Sequence, residues 1–152
     1  MSRVARSARV ASRQRVESIT GNKTIETAET GETYIINYNA GATATITLPP
    51  KQDGAYFKFI FGTLMEAASA VLVITSSEAA NGDFEGSVFE QKTGGSNQNS
   101  AIQKATTTSH HKLTLTADIH EGSWVECVCD GSKWYITGVL NVEAVGKAAF
   151  GT

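Results

Sequence analysis

The stretch from Lys112 to Gly138, KLTLTADIHEGSWVECVCDGSKWYITG, leaves little room for anything but three consecutive β-strands joined by tight turns. Leu113, Leu115 and Ala117 alternate with Lys112, Thr114 and Thr116, the period-two pattern of a strand with one dry and one wet face. Glu121-Gly122 supplies a turn. Val125, Cys127 and Cys129 then point one way and Trp124, Glu126 and Val128 the other, before Asp130-Gly131, a hairpin signal because both residues tolerate positive φ. Trp134, Tyr135 and Ile136 return as the partner strand. Each tryptophan of this hairpin can bury roughly 150–250 Å², so Trp124 and Trp134 are the expected anchors of one core wall.

The same grammar runs upstream. Tyr34, Ile36 and Tyr38 share a face; Ala44, Ile46 and Leu48 alternate with Thr43, Thr45 and Thr47; and Pro49-Pro50, the only prolines, stop that ladder. AYFKFIF sets Phe57, Phe59 and Phe61 on one side, the mark of a core strand. AVLVITS is a nearly continuous apolar strand, Leu64 to Ser69 a short helical turn, Phe84 to Glu90 a strand, and QKTGGSNQNS a loop. Ala101 to Thr108 is a polar strand candidate. About nine or ten strands at this spacing predict an all-β fold, an antiparallel β-sandwich or jelly-roll-like barrel. Its expected core comprises Phe57, Phe59, Phe61, Leu72, Ile74, Leu113, Leu115 and Val125. No internal repeat of fixed period is visible, and at 152 residues one domain is expected over 19–152, ending in a short tail.

Charge divides the chain. All five arginines, Arg3, Arg6, Arg9, Arg13 and Arg15, fall in the first fifteen residues without an acidic neighbour, whereas the remainder holds eight lysines against fifteen Asp plus Glu, a balance of −7. Residues 1–18 read as a basic N-terminal arm. Arg3, Arg6, Arg9 and Arg13 recur at three, three and four residues, one face of a helix if a partner surface orders the segment. Arginine throughout the arm and lysine throughout the body favour a role for the forked, bidentate donor. The acidic body argues against nucleic acid as the partner.

Catalytic chemistry is not legible. Cys127 and Cys129, at i and i+2 on a strand, read as buried thiols that cannot bond each other, and the histidines have no zinc-like spacing to them, so neither metal nor cofactor is expected. His110-His111 beside Thr106, Thr107, Thr108 and Ser109 reads as a solvated strand end, and Asp118, His120 and Glu121 as turn chemistry. Gly94-Gly95 lacks the lysine and helix of a phosphate cradle. No apolar run reaches the ~20 residues of a membrane span, and no apolar region follows the basic start as in a signal peptide, so the expectation is a non-enzymatic protein made in a cytoplasm.

The run GSWVECVCDGSKWYITG, preceded by TLTADIHE, resembles the C-terminal hairpin of small β-rich virion proteins of tailed phages, and GETYIINYNAGATATITLPP and GAYFKFIF are similar to their opening strands. The resemblance spans about four fifths of the chain and lies in turns and strand ends. It implies a capsid decoration or cement protein on the virion surface, assembled in the host cytoplasm, with the major capsid protein as partner and a homo-oligomer, a trimer, as the working unit. The arm arginines would then contact capsid subunits. The alternative it implies is a tail- or fibre-associated β-domain that binds a cell-surface glycan.

Overall fold

The computed structural model describes residues 15–78, 83–94, 99–105 and 109–152. Twelve strands make it up: β1 Val16–Ile19, β2 Lys23–Thr24, β3 Thr33–Ile36, β4 Thr43–Leu48, β5 Asp53–Phe61, β6 Val71–Ser76, β7 Phe84–Lys92, β8 Ser100–Lys104, β9 Lys112–Thr116, β10 Trp124–Asp130, β11 Trp134–Val142 and β12 Ala148–Gly151. Among the described residues one 3-10 turn, Thr27–Glu29, interrupts them. The strands form a seven-stranded sheet, ordered β1-β3-β5-β10-β11-β7-β8, and a five-stranded sheet, ordered β12-β9-β6-β4-β2. The two pack face to face, so the fold is an all-β sandwich.

The path between sheets differs from the antiparallel expectation. From β1 to β6 the chain alternates sheets, and each strand lies parallel to the one two before it: β1, β3 and β5 in one sheet, β2, β4 and β6 in the other. The chain winds like a flattened coil. Parallel neighbours need a long crossover, which a helix commonly provides; here a strand of the opposite sheet does so. β7 also joins β11 in parallel, whereas the hairpins β7–β8 and β10–β11 and the pairs β5–β10, β6–β9 and β9–β12 are antiparallel. Side-chain alternation misleads here because it reports which face is wet, not strand direction, and each sheet keeps one wet face.

Winding also explains the missing sequence repeat. The register partners Val16–Thr33, Thr33–Lys58, Lys23–Ile46 and Thr43–Val71 stand 17, 25, 23 and 28 residues apart, so successive turns of the coil differ in length. β1 lies within 1–18, so the described end of the expected arm is already part of the sheet. Where a helical turn was expected at 64–69, Met65 instead bridges to Ile119. β7 and β11 approach closely at Gly86, whose φ of 113° suits glycine and where a Cβ would fall 2.1 Å from the Ile136 carbonyl oxygen.

Between the sheets lies one apolar core. Tyr34, Ile36, Phe57, Phe59, Phe61, Val125, Cys127, Cys129, Trp134 and Ile136 face Ala44, Ile46, Leu48, Leu72, Ile74, Leu113 and Leu115. All eight residues expected in the core are buried. Trp124 is the correction among the expected anchors: it neighbours the inward Val125, parity turns it outward, and it lies half-buried with the Lys58 ammonium 5.0 Å from its ring centre. Both cysteines are free and buried, and burial pushes the Cys127 thiol well above its ordinary pKa.

Candidate functional site: an outward stripe and the root of the arm

Arg3, Arg6, Arg9 and Arg13 lie outside the described residues. Arg15 lies within them, one residue before β1. Its Nη1 donates to Glu32 Oε1 at 3.1 Å while three quarters of its side chain stays exposed. The arm is thus rooted at an edge of the seven-stranded sheet by an ion pair within the chain.

Beside that root three carboxylates converge. Oxygen atoms of Glu17, Glu29 and Glu32 lie within 4.8 Å of one another. The Lys23 ammonium sits among them, 3.0 Å from both Glu17 carboxylate oxygens and 2.8 Å from Glu29 Oε1. Glu29 Oε2 also accepts from the Glu26 N–H at 2.5 Å, closing a capping box around the 3-10 turn. Burial alone would lower Lys23, but Glu29 and Glu17 outweigh it and hold the ammonium above its ordinary pKa. Lys23 and Arg15 therefore stand where an external cation would have to bind, and we read the cluster as a staple fastening β1, β2, the 3-10 turn and β3.

That staple has a pH signature. Burial would raise Glu29, yet the Glu26 N–H and Lys23 hold its carboxyl below the ordinary value of 4.5. A depressed folded pKa adds stability above the unfolded value and loses it as pH falls through the folded one. We expect thermal stability to decline as the pH drops below about 4.5, and Glu29→Gln to remove part of that acid sensitivity while lowering stability at pH 7. Parallel melts of the two proteins from pH 3 to 7 check this.

The outer face of the seven-stranded sheet carries the other feature. Strand register places Ile35, Ile60, Trp124, Val139, Phe89 and Ile102 side by side, one from each of β3, β5, β10, β11, β7 and β8. Ile102 is 67% exposed and Phe89 37%; the other four are half-buried. Five interstrand spacings of about 4.8 Å make this apolar stripe roughly 24 Å long. A Cβ on Gly62 would lie 2.4 Å from Ile35 Cγ2, so glycine there leaves Ile35 its place in the row. One flank of the stripe reads Thr33, Lys58, Glu126, Thr137, Ser87 and Lys104, with Lys58 and Glu126 paired at 2.9 Å. The other flank includes Asn141, Gln91 and Ser100.

An open cleft of about 430 Å³ lies elsewhere, lined by Lys92, Thr93, Gly94, His120 and Glu143. His120 Nε2 stands 4.0 Å from Glu143 Oε1. Asp118, in a left-handed turn at φ 74°, pairs with Lys147 at 2.5 Å. His110 meets Phe150 edge-on, the ring centres 6.3 Å apart, and Thr106, Thr107 and Thr108 fall outside the described residues. Trp124 and Trp134 lie on opposite faces of their hairpin and form no common stacking platform.

Comparison with models of known protein families, with curated proteins and with solved structures finds no match to this chain. Among the described residues no helix is long and apolar enough to cross a membrane. Sequence reading missed both the stripe and the staple. Only strand register lines the six apolar residues up, and only the winding brings Glu17, Lys23, Glu29 and Glu32 together.

Proposed function

We propose that this chain is a structural protein of a viral particle, a capsid decoration or cement protein whose arginine arm fastens it to capsid subunits while the β-sandwich rests on the shell as one of several associated copies. The observation that carries this reading is the segregation of charge, five arginines ahead of a body with a balance of −7. A cationic segment rooted at a sheet edge by Arg15 and the neighbouring staple is suited to bidentate pairing with Asp and Glu on a protein surface. An acidic body by itself is poorly drawn to an acidic partner, so the arm supplies both attraction and specificity. Ordering it opposes binding by roughly 1–2 kcal/mol per residue, which requires several contacts to form together.

Removing residues 1–14 should leave the sandwich folded and sharply weaken its binding to shells of the major capsid protein, measured by co-sedimentation at physiological salt. Lysine in place of all five arginines keeps the charge, loses the fork, and should give an intermediate loss. Full decoration by the truncated chain would overturn the proposal. The cleft at Lys92, Thr93, His120 and Glu143 favours a second reading, a glycan-binding domain of a tail or fibre, because its groups donate and accept hydrogen bonds. Glycan binding that is lost with His120→Ala and indifferent to the arm would select it.

A further inference from the structure

We propose that the stripe Ile35, Ile60, Trp124, Val139, Phe89 and Ile102 is the surface on which a second copy of the chain packs, sheet against sheet, about a two-fold axis. Single exposed apolar residues are ordinary on soluble proteins, but a continuous row across six strands is an interaction surface. The row belongs to a hydrogen-bonded sheet with an aromatic core behind it, so its shape is set before any partner arrives.

Self-complementarity identifies the partner. A two-fold axis parallel to the strands, passing between β10 and β11, lays the stripe on itself in reverse order: Ile35 meets Ile102 of the second copy, Ile60 meets Phe89, and Trp124 meets Val139. The same rotation sets Lys58 opposite Ser87, Glu126 opposite Thr137, and Lys104 opposite Thr33. Among these pairs no like charges oppose each other, and Lys58 and Glu126 already neutralise one another within each copy. A strongly acidic or basic partner would find no matching charge here. An isologous contact of this kind closes after two copies, unlike the trimer that the resemblance implies.

Extent sets the strength. A face roughly 24 Å across the strands and about 20 Å along them gives a footprint of roughly 500 Å² per copy, near the lower end of specific interfaces. Such a dimer should be weak in dilute solution, with a dissociation constant on the order of tens of micromolar, and should fill where copies are held side by side. The inference stands apart from the attachment proposal, because it concerns the sheet face and not the arm.

Sedimentation equilibrium of the full chain from about 1 to 200 µM should show a monomer–dimer equilibrium. Phe89→Glu combined with Ile102→Glu should weaken it at least tenfold, while Thr114→Glu, on the outer face of the five-stranded sheet, should leave it unchanged. Circular dichroism verifies that each variant is folded. If the charged pair unfolds the chain, Ile35→Cys with Ile102→Cys replaces it: facing sheets stand about 10 Å apart, so the two-fold arrangement predicts intermolecular crosslinking between those positions by a short bis-maleimide reagent. A monomer throughout the range, a trimer, or a dimer indifferent to these substitutions and without that crosslink would overturn the proposal.

Discussion

Replacing Phe59 by alanine should lower the free energy of unfolding by about 3–5 kcal/mol, the range for truncating a fully buried aromatic side chain. Phe59 has no exposed surface and sits mid-strand in β5, with Tyr34 opposite on β3 and Val125 opposite on β10. Its ring stacks on that of Tyr34 with centres 5.5 Å apart and planes inclined by 18°, and Phe57 continues the cluster to Trp134 at 5.9 Å. Position adds to volume, because β5 joins the parallel β1 and β3 to the antiparallel β10. Urea unfolding should show a lower midpoint with an unchanged denaturant slope, the pattern of lost stability without a change in surface exposed. Phe59→Leu, nearer in volume, should cost less than half as much. A loss below about 1 kcal/mol for the alanine variant would be that of a surface substitution and would contradict this picture of the core.

Phe57, Phe59 and Phe61 were legible because a strand has a period of two, so three aromatic rings at alternate positions have one economical place to go. TATITL is as clear: Ala44, Ile46 and Leu48 are buried and the threonines are not. Other features depend on contacts between segments distant in sequence. Alternation in β3 and β5 is the same whether they run parallel or antiparallel, and nothing local in β4 says that it belongs to the other sheet. Trp124 shows the limit of weighing a residue by size, since its hydrophobic area suggested an anchor while its neighbour Val125 took the inward parity. The arm's composition was plain from the sequence, yet its rooting by Arg15 on Glu32 depends on a strand pairing, β1 with β3, in which residues 17 positions apart meet.

Glu90 gives the second large effect, and the sequence carried no sign of it. Lying between the outward Phe89 and Gln91 on β7, its side chain is turned inward and has no exposed surface. There its carboxylate accepts from the Gly146 N–H at 2.6 Å and the Ala148 N–H at 2.5 Å, with Gln103 Nε2 at 3.4 Å. Ala148 begins β12, the edge strand of the five-stranded sheet, so one side chain of the seven-stranded sheet holds the outermost strand of the other. Glu90→Ala strands two backbone donors and opens a void; at roughly 1–3 kcal/mol for each unmade hydrogen bond, the loss should reach about 3–5 kcal/mol. Glu90→Gln keeps an acceptor but loses the charge and should cost about 1–2 kcal/mol. Hydrogen exchange distinguishes global loss from local release: if the clamp acts on β12, the amides of Gly146 and Ala148 should exchange faster in Glu90→Ala by a larger factor than those of β5. An alanine variant with stability within 1 kcal/mol of the parent and unchanged exchange at those two amides would show that β12 is held by its pairing with β9 alone.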